Sequence, residues 1–347
     1  MIKKPLFSIL IPTYNRAELL KATISICLNQ SFQDFEIVIS DNCSTDETEE
    51  IVKSFRDKRI KYFKNKKNIG AEPNMKKVME HATGEYLFMM GDDDFILFEN
   101  TLEEIKKIIE DTKFGFIRLN LIERKFIGKG IRKSKINIEH NIKFQKNSSP
   151  EKILDFFTQI DVTHIAGLVI KNSDNLYKKM IDCPEVPWIR VIYDVTKLYG
   201  AYFLSNHYMV ITWSQGEILT LYELRKNNHL MFEDYTDFIF TIIPKERLRR
   251  YKLKYYERYI KHQPVIKLYS SNLSLLKFDR RLLELEPHLK YNILFWIYLT
   301  ISLVTPMFLW RIVRVIQHKK VDRLDYLENR DKIYNKCNAL NKKYYAI

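Results

Sequence analysis

The chain has 347 residues, 46% apolar and 13% aromatic, which is enough for a sizeable core and excludes a wholly disordered polymer. Its four cysteines, Cys27, Cys43, Cys183 and Cys337, stand far apart with no C-x-x-C, which excludes a disulfide scaffold or cysteine zinc site and suits a reducing compartment. The net charge of +14 belongs to the last third: residues 244–347 carry 23 Lys/Arg against 9 Asp/Glu, while the 34 basic and 34 acidic residues before them cancel. That asymmetry points to an anionic surface as partner, membrane lipid in preference to nucleic acid.

Residues 1–5 lead straight into a strand-like run, so no secretory signal is expected. Residues 7–12 read as a strand buried on both faces and stopped by Pro12. In the loop Thr13-Tyr14-Asn15-Arg16, Asn15 is expected to cap a helix, with Glu18 completing a capping box. Leu20, Ile24, Cys27 and Leu28 fall on one face of that helix. A second strand, 35–40, runs into a polar loop from Asp41 to Asp46, where Ser44-Thr45-Asp46 reads as a cap for a helix over 47–55. A short strand at 60–63 precedes Asn68-Ile69-Gly70, and Pro73 suits the first turn of a helix reaching about His81. The apolar run after Gly84 then ends in Asp92-Asp93-Asp94.

Strands alternating with helices predict an α/β fold, a doubly wound, mostly parallel sheet with helices on both faces. Ligands of such sheets sit outside the carboxyl ends of the strands, and three of those ends here carry polar groups: Thr13-Tyr14-Asn15, Asp41-Asn42 and the acidic triplet. Consecutive carboxylates suit Mg²⁺ or Mn²⁺ shared with a phosphate, against the alternative of a solvated acidic turn. Neither G-x-G-x-x-G nor G-x-x-x-x-G-K-[ST] occurs, so a dinucleotide fold is disfavoured and a P-loop is absent. A nucleotide diphosphate bound here would need its charge met by carboxylate-held cations instead.

The run Ser8 to Arg16, the stretch Glu36 to Asp46, Asn68-Ile69-Gly70, Asn74 and Gly84-Glu85-Tyr86 with its following acids closely resemble the family 2 nucleotide-sugar glycosyltransferases, inverting enzymes of GT-A fold. The resemblance covers roughly the first hundred residues, loosens over about 160–215 and is absent beyond. It implies that Pro12 and Tyr14 line the nucleotide base, with Thr13 and Asn15 in the same loop. It further implies that Asp41 hydrogen-bonds the base and that Asn68 and Asn74 shape the donor pocket. Asp93 matches the metal-binding carboxylate of the family's D-x-D motif. The first acid of that motif falls on Gly91, so Asp92 is expected to take over its part, with Asp94 as a third candidate ligand.

Further along, a short amphipathic helix is expected over 103–110 and a strand over 114–119. Residues 123–150 are basic and poorly periodic and read as a long hairpin or loop. Residues 163–170 look like another core strand, and His164 reads as a core or edge histidine before a catalyst. The resemblance implies a catalytic base after this strand at a helix start. The stretch 188–199 fills that place and makes Asp194 the candidate base, against the plainer reading of a partner for Arg190 or Lys197. Trp188 reads as a core tryptophan or a sugar-stacking one, and Ser214-Gln215-Gly216 as part of a loop closing over the diphosphate.

Beyond Pro244 a basic, tyrosine-rich helix is expected over 245–256, more helix over 268–286, and a charged helical tail over 322–345. Residues 293–310 carry no charge, at the lower limit for a membrane span, and their basic flanks and aromatic ends suit a helix lying in, or dipping into, the cytoplasmic leaflet, against the alternative of a buried core or oligomer helix. The organisation expected is a catalytic domain over 1–243, split into a donor half (1–110) and an acceptor half (111–243), and a helical membrane-association or oligomerisation region over 244–347. With the resemblance, this predicts a cytoplasmic, membrane-associated glycosyltransferase. Its donor would be a nucleotide-diphosphate sugar, UDP first, and its acceptor a saccharide, lipid-linked, for bacterial surface polysaccharide. The rivals are a nucleotidyltransferase and a degenerate, non-catalytic binding module.

Overall fold

The computed structural model describes residues 3–125, 131–133, 138, 140–159, 164–173, 187–213, 242–260, 272–306, 309 and 339. Two compact units are distinguished, Met1–Thr212 with Leu324–Ile347, and Trp213–Arg323. The division expected at 243 adjoins the segment 214–241, which lies outside the described residues together with Ser214-Gln215-Gly216 within it and, apart from 339, the tail 322–345.

The first unit opens with β1 (Phe7–Thr13), α1 (Ala17–Leu28), β2 (Phe35–Asp41), α2 (Thr48–Ser54), β3 (Ile60–Lys64), α3 (Ala71–Glu80) and β4 (Tyr86–Met89). β1 and β2 are apolar along both faces because both faces are covered, and β1 pairs in parallel with β2 and with β4. β2 in turn pairs in parallel with β3, giving the order β3-β2-β1-β4. The chain steps outward from β1 to β3 and then jumps back across β1 to β4. Right-handed crossovers therefore place α1 and α2 on one face and α3 on the other. Accordingly α1 packs on α2, while α3 packs on β1 and β2. The reversal leaves a crevice between the carboxyl ends of β1 and β4, the place where open α/β sheets bind ligands.

After β4 come β5 (Phe95–Ile96), α4 (Thr101–Thr112), β6 (Phe116–Lys125), β7 (Ile131–Lys133), β8 (Ile142–Phe144), α5 (Pro150–Gln159), β9 (Leu168–Lys171), α6 (Pro187–Tyr199) and β10 (Ala201–Trp213). The sheet continues as β4-β9-β6-β10-β5, and β9 enters antiparallel to both β4 and β6. β7 folds back on β6 and β8 on β10, so the hairpin expected in 123–150 is present. The helix α5 was not legible there: its signal is Ser149-Pro150-Glu151, and Ser149 Oγ accepts the Lys152 amide at 3.3 Å. Phe156 of α5 meets Phe203 edge-on at 4.5 Å and Phe144 at 5.0 Å, tying the helix to the antiparallel half. β9 is shorter than the expected 163–170 strand because Gly167, at φ 75°, turns the chain immediately before it.

The start of α1 corrects a sequence expectation. Arg16, not Asn15, precedes the first helical residue, and Asn15 stands at φ 52°. No capping box with Glu18 forms. The Ala17 amide instead donates to Asp46 Oδ2 at 3.0 Å, while Asp46 Oδ1 accepts from the Thr48 hydroxyl at 2.5 Å and the Thr48 amide at 3.2 Å. One carboxylate thus serves the N-termini of two helices, so the expected cap for α2 is present and does double duty. Partial burial would raise the Asp46 carboxyl, but these hydrogen bonds outweigh it and hold it below the usual carboxylate range.

In the second unit, α7 (Lys245–Ile260) and α8 (Asn272–Leu285) are followed by a 3₁₀ turn (Pro287–Tyr291) and α9 (Ile293–Val304). Pro287 ends α8 as expected, Asn292 Oδ1 caps α9 by accepting the Leu294 amide at 2.9 Å, and Pro306 lies just beyond its end. Phe295, Leu299 and Ser302 form the buried face of α9, which packs on α7 and the 3₁₀ turn. Its opposite face is apolar and open: Ile293 is 70% exposed and Val304 76%, with Leu294, Ile297 and Ile301 between them also exposed. At 12 residues α9 is about 18 Å long, against about 30 Å of bilayer hydrocarbon. No helix among the described residues is long and apolar enough to cross a membrane.

Candidate active site

The acidic triplet forms a tight turn between β4 and β5, at the crevice between β1 and β4. All three acids are buried, none more than 7% exposed. Thr13, the last residue of β1, donates its hydroxyl to Asp92 Oδ2 at 2.7 Å. Thr23, inside α1 and fully buried, directs its hydroxyl at the carbonyls of Asp92 (2.9 Å) and Asp94 (3.0 Å), fixing the backbone of the turn. Arg16 Nη1 reaches Asp92 Oδ1 at 3.1 Å and Asp93 Oδ2 at 2.9 Å. Burial raises the Asp92 carboxyl above its ordinary range, and Arg16 and Thr13 oppose that by stabilising the anion.

Two carboxylates therefore converge on one cationic atom. Hard oxygen donors from two side chains are of the type that Mg²⁺ or Mn²⁺ takes. The donor set suits such an ion, and Asp92 and Asp93, which now share Arg16 Nη1, are the residues that would hold it. Asp94 is different, since its Oδ2 accepts the Gly91 amide at 2.9 Å and so closes the turn. Among the described residues no group of three or more His, Cys, Asp or Glu side chains is gathered closely enough to hold a metal, so the triplet presents a pair and a brace, not a trio. The same turn explains Gly91, where the resemblance expects an acid. A Cβ there would come within 2.7 Å of Asp94 Oδ2 and 3.0 Å of Asp93 Oδ1, so any side chain at 91 would displace the brace.

The other sequence candidates form a second group at the carboxyl end of β2. Asp41 is fully buried; its Oδ1 accepts the Ser44 amide at 2.7 Å and its Oδ2 the Tyr62 hydroxyl at 2.5 Å. Burial first, then this bond to Asp41, push the Tyr62 phenol up, so it stays a donor. The Asn42 amide group donates to Asn68 Oδ1 (2.8 Å) and Gly70 O (3.2 Å), and its Oδ1 accepts the Ile69 amide at 2.9 Å. Asn74 is 2% exposed, accepting from Ser40 Oγ (2.7 Å) and Asn65 (2.8 Å) and donating to Ser40 O (2.9 Å). Asn74 is thus buried and bonded to Ser40 of β2 and to Asn65. Tyr14 is 43% exposed beside the half-buried Pro12, and Asn15 crosses to the β2 loop, its Oδ1 accepting the Thr45 amide at 2.8 Å. The Asn42 amide donates to Thr13 O at 2.9 Å, which joins the two groups.

Asp194 stands midway along α6 and not at its start. Its Oδ2 accepts from Arg190 Nε at 3.3 Å, the ion pair that the plainer reading expects. Val195 and Tyr199 close against Gly115, and Tyr199 lies under Lys171, which is level with Tyr86 at the beginning of β4. The C-terminal part of α6 is therefore at the end of the sheet opposite the acids. His164 Nδ1 accepts the Ala166 amide at 3.3 Å within its own turn, matching a local role. The side chain of Trp188 lies outside the described residues.

Sequence reasoning missed Arg16 and Thr23. Arg16 had a signal: it is the lone base in the loop after β1, facing three acids across the topological reversal. Thr23 had none, being a hydroxyl inside an apolar helix.

Residues 8–168 match the family model Glycosyl transferase family 2. The chain is 33% identical over 137 residues to the GalNAc(5)-diNAcBac-PP-undecaprenol beta-1,3-glucosyltransferase of Campylobacter jejuni, a match covering 37% of this chain and 44% of that protein. It is 31% identical over 153 residues to the Escherichia coli UDP-Glc:alpha-D-GlcNAc-diphosphoundecaprenol beta-1,3-glucosyltransferase WfaP, covering 43% and 61%. The chain spans about half the length of these curated relatives. Among solved structures, S. aureus TarS in complex with UDP-GlcNAc aligns with a TM-score of 0.51 at 16% identity, over 84% of this chain and 92% of that one. At that identity the likeness speaks to the fold alone, and the fold is GT-A-like.

Proposed function

We propose, for a chain whose residues 8–168 match the model of glycosyl transferase family 2, that it transfers a sugar with inversion from a nucleotide-diphosphate donor, UDP-linked first, to a lipid-linked saccharide in bacterial surface polysaccharide synthesis. The observation that carries this reading is the convergence of Asp92 and Asp93 on one cation position at the crevice between β1 and β4. The two undecaprenol-linked relatives support the acceptor class, and WfaP, by its name, the UDP donor.

Asp92 and Asp93 would hold Mg²⁺ or Mn²⁺, which when bound neutralises diphosphate charge on the leaving group. Thr13 and Thr23 fix the turn so that both carboxylates stay aimed at one point. Tyr14, exposed at the rim, stacks on the nucleobase beside Pro12. Asp41 keeps the β2 loop in shape through Ser44 and Tyr62 and meets the base by exchanging one of those partners. Asp194 takes the acceptor hydroxyl proton as that oxygen attacks the anomeric carbon and the bond to the diphosphate breaks in line, with Arg190 paired to the carboxylate. The base assignment rests on the resemblance, not on a contact with the acidic turn. Gly91 no longer favours a degenerate module, since the turn keeps two convergent carboxylates without an acid there.

Calorimetric titration of UDP, GDP, CDP and dTDP with and without Mn²⁺ tests the donor site. Metal-dependent binding of one nucleotide is expected, and failure of all four under both conditions would remove the transferase reading. The open apolar face of α9 and the basic composition of 244–347 further suit peripheral contact with the anionic inner leaflet. Sedimentation with phosphatidylglycerol vesicles, but not with phosphatidylcholine vesicles, is the expected result. Ile297→Glu with Ile301→Glu should abolish it, and equal sedimentation of that double variant would refute the role of α9.

A further inference from the structure

We propose that Arg16 is the resident counter-cation of the Asp92–Asp93 pair, yielding its place to the divalent ion when the nucleotide arrives, so that metal and nucleotide bind cooperatively. This rests on the reading of Asp92 and Asp93 as metal ligands. Two adjacent, buried carboxylates repel each other and lose hydration, a cost that a fold must meet when no metal is present. Arg16 meets it with a single atom, Nη1, bridging one oxygen of each acid. That atom lies at the point on which both carboxylates converge, so guanidinium and metal compete for one position. The acid side chains are 7% and 10% exposed, whereas the Arg16 side chain is 34% exposed. The cation is thus the part of the trio with solvent on one side and room to leave, while Thr13, Thr23 and the backbone of the turn hold the acids in place. A nucleoside diphosphate offers the displaced guanidinium a new anionic partner that matches its planar fork. Because coupling is reciprocal, whatever the metal gains from the nucleotide the nucleotide gains from the metal.

The test measures Mn²⁺ binding alone, by the loss of the free-ion paramagnetic resonance signal, on the full chain as wild type, Arg16→Met, Arg16→Lys and the double variant Arg16→Met with Asp93→Asn. Arg16→Met should bind Mn²⁺ at least tenfold more tightly than wild type, and Arg16→Lys should stay close to wild type. Saturating Mn²⁺ should raise the thermal midpoint of Arg16→Met more than that of wild type, as ligand linkage requires and a merely structural arginine would not. Should Arg16→Met fail to fold, Arg16→Gln carries the same comparison with a neutral polar side chain. Equal or weaker Mn²⁺ affinity on loss of Arg16, or a gain that survives Asp93→Asn, overturns the proposal. If wild type takes up Mn²⁺ with a nucleoside diphosphate but loss of Arg16 brings no gain, the Arg16 proposal falls alone. If no variant binds Mn²⁺ with or without nucleotide, it falls together with the metal assignment.

Discussion

Asp93→Ala should lower sugar transfer by on the order of 10³-fold, the scale seen when one preorganised electrostatic group at a reacting centre is removed. Asp93 gives one of the two carboxylate oxygens that meet Arg16 Nη1, and Asp92 alone, already committed to Thr13, would make a much weaker cation site. The loss should appear in kcat and in the nucleotide's metal-dependent affinity together, because a single interaction serves both. Folding should be almost untouched: Arg16 then neutralises Asp92 alone, and the strain of two neighbouring anions is relieved. Single-turnover transfer assays and thermal melts on the same preparation separate the two effects. A rate within threefold of wild type would mean that the acidic turn is structural.

Asp194→Asn should reduce kcat by about 10²- to 10⁴-fold, the usual contribution of a positioned general base, with little change in donor affinity. The amide keeps the size and the hydrogen bond to Arg190 but cannot accept a proton. The competing account is specific. Asp194 and Arg190 form an i, i+4 pair on a helix, and such pairs contribute about 0.3–0.5 kcal/mol. If the ion pair is its whole role, Asp194→Asn lowers the thermal midpoint slightly and leaves kcat alone. A full kcat with a slightly lower midpoint would send the search for the base toward the N-terminal end of α6.

The parallel half of the sheet was legible because its strands are continuous apolar runs, and a strand buried on both faces has no polar alternation to obscure it. The positions of Thr13, Asp41 and Asp92 followed from the same patterns, since a strand's end is also where its ligand-facing edge begins. What was not legible was the partner of each charge. Asn15 followed by Glu18 has the spacing of a local cap, yet Asp46, distant in sequence, wins because the β2 loop delivers an ionised carboxylate to two helix ends at once. Asp94 looks like a third ligand until the turn gives it the Gly91 amide. The helix α5 was lost inside a basic stretch whose composition resembles a loop, although Ile153, Leu154 and Phe157 repeat at helical spacing and are buried.

The antiparallel insertion of β9 also shapes how this protein is made. Tyr86 must wait for Lys171, about 80 residues later, before the outer edge of β4 has a partner. At about 5–20 residues per second of synthesis, the nascent chain carries that edge uncovered for several seconds. The exposed segment, Tyr-Leu-Phe-Met, is short, uncharged and rich in β-forming residues, the kind of strand that pairs with copies of itself. Two acids in its immediate neighbourhood, Glu85 before it and Asp92 just after, flank it with like charge during that interval. Asp92, a carboxylate of the candidate site, thus serves first, together with Glu85, as a gatekeeper for an unfinished sheet.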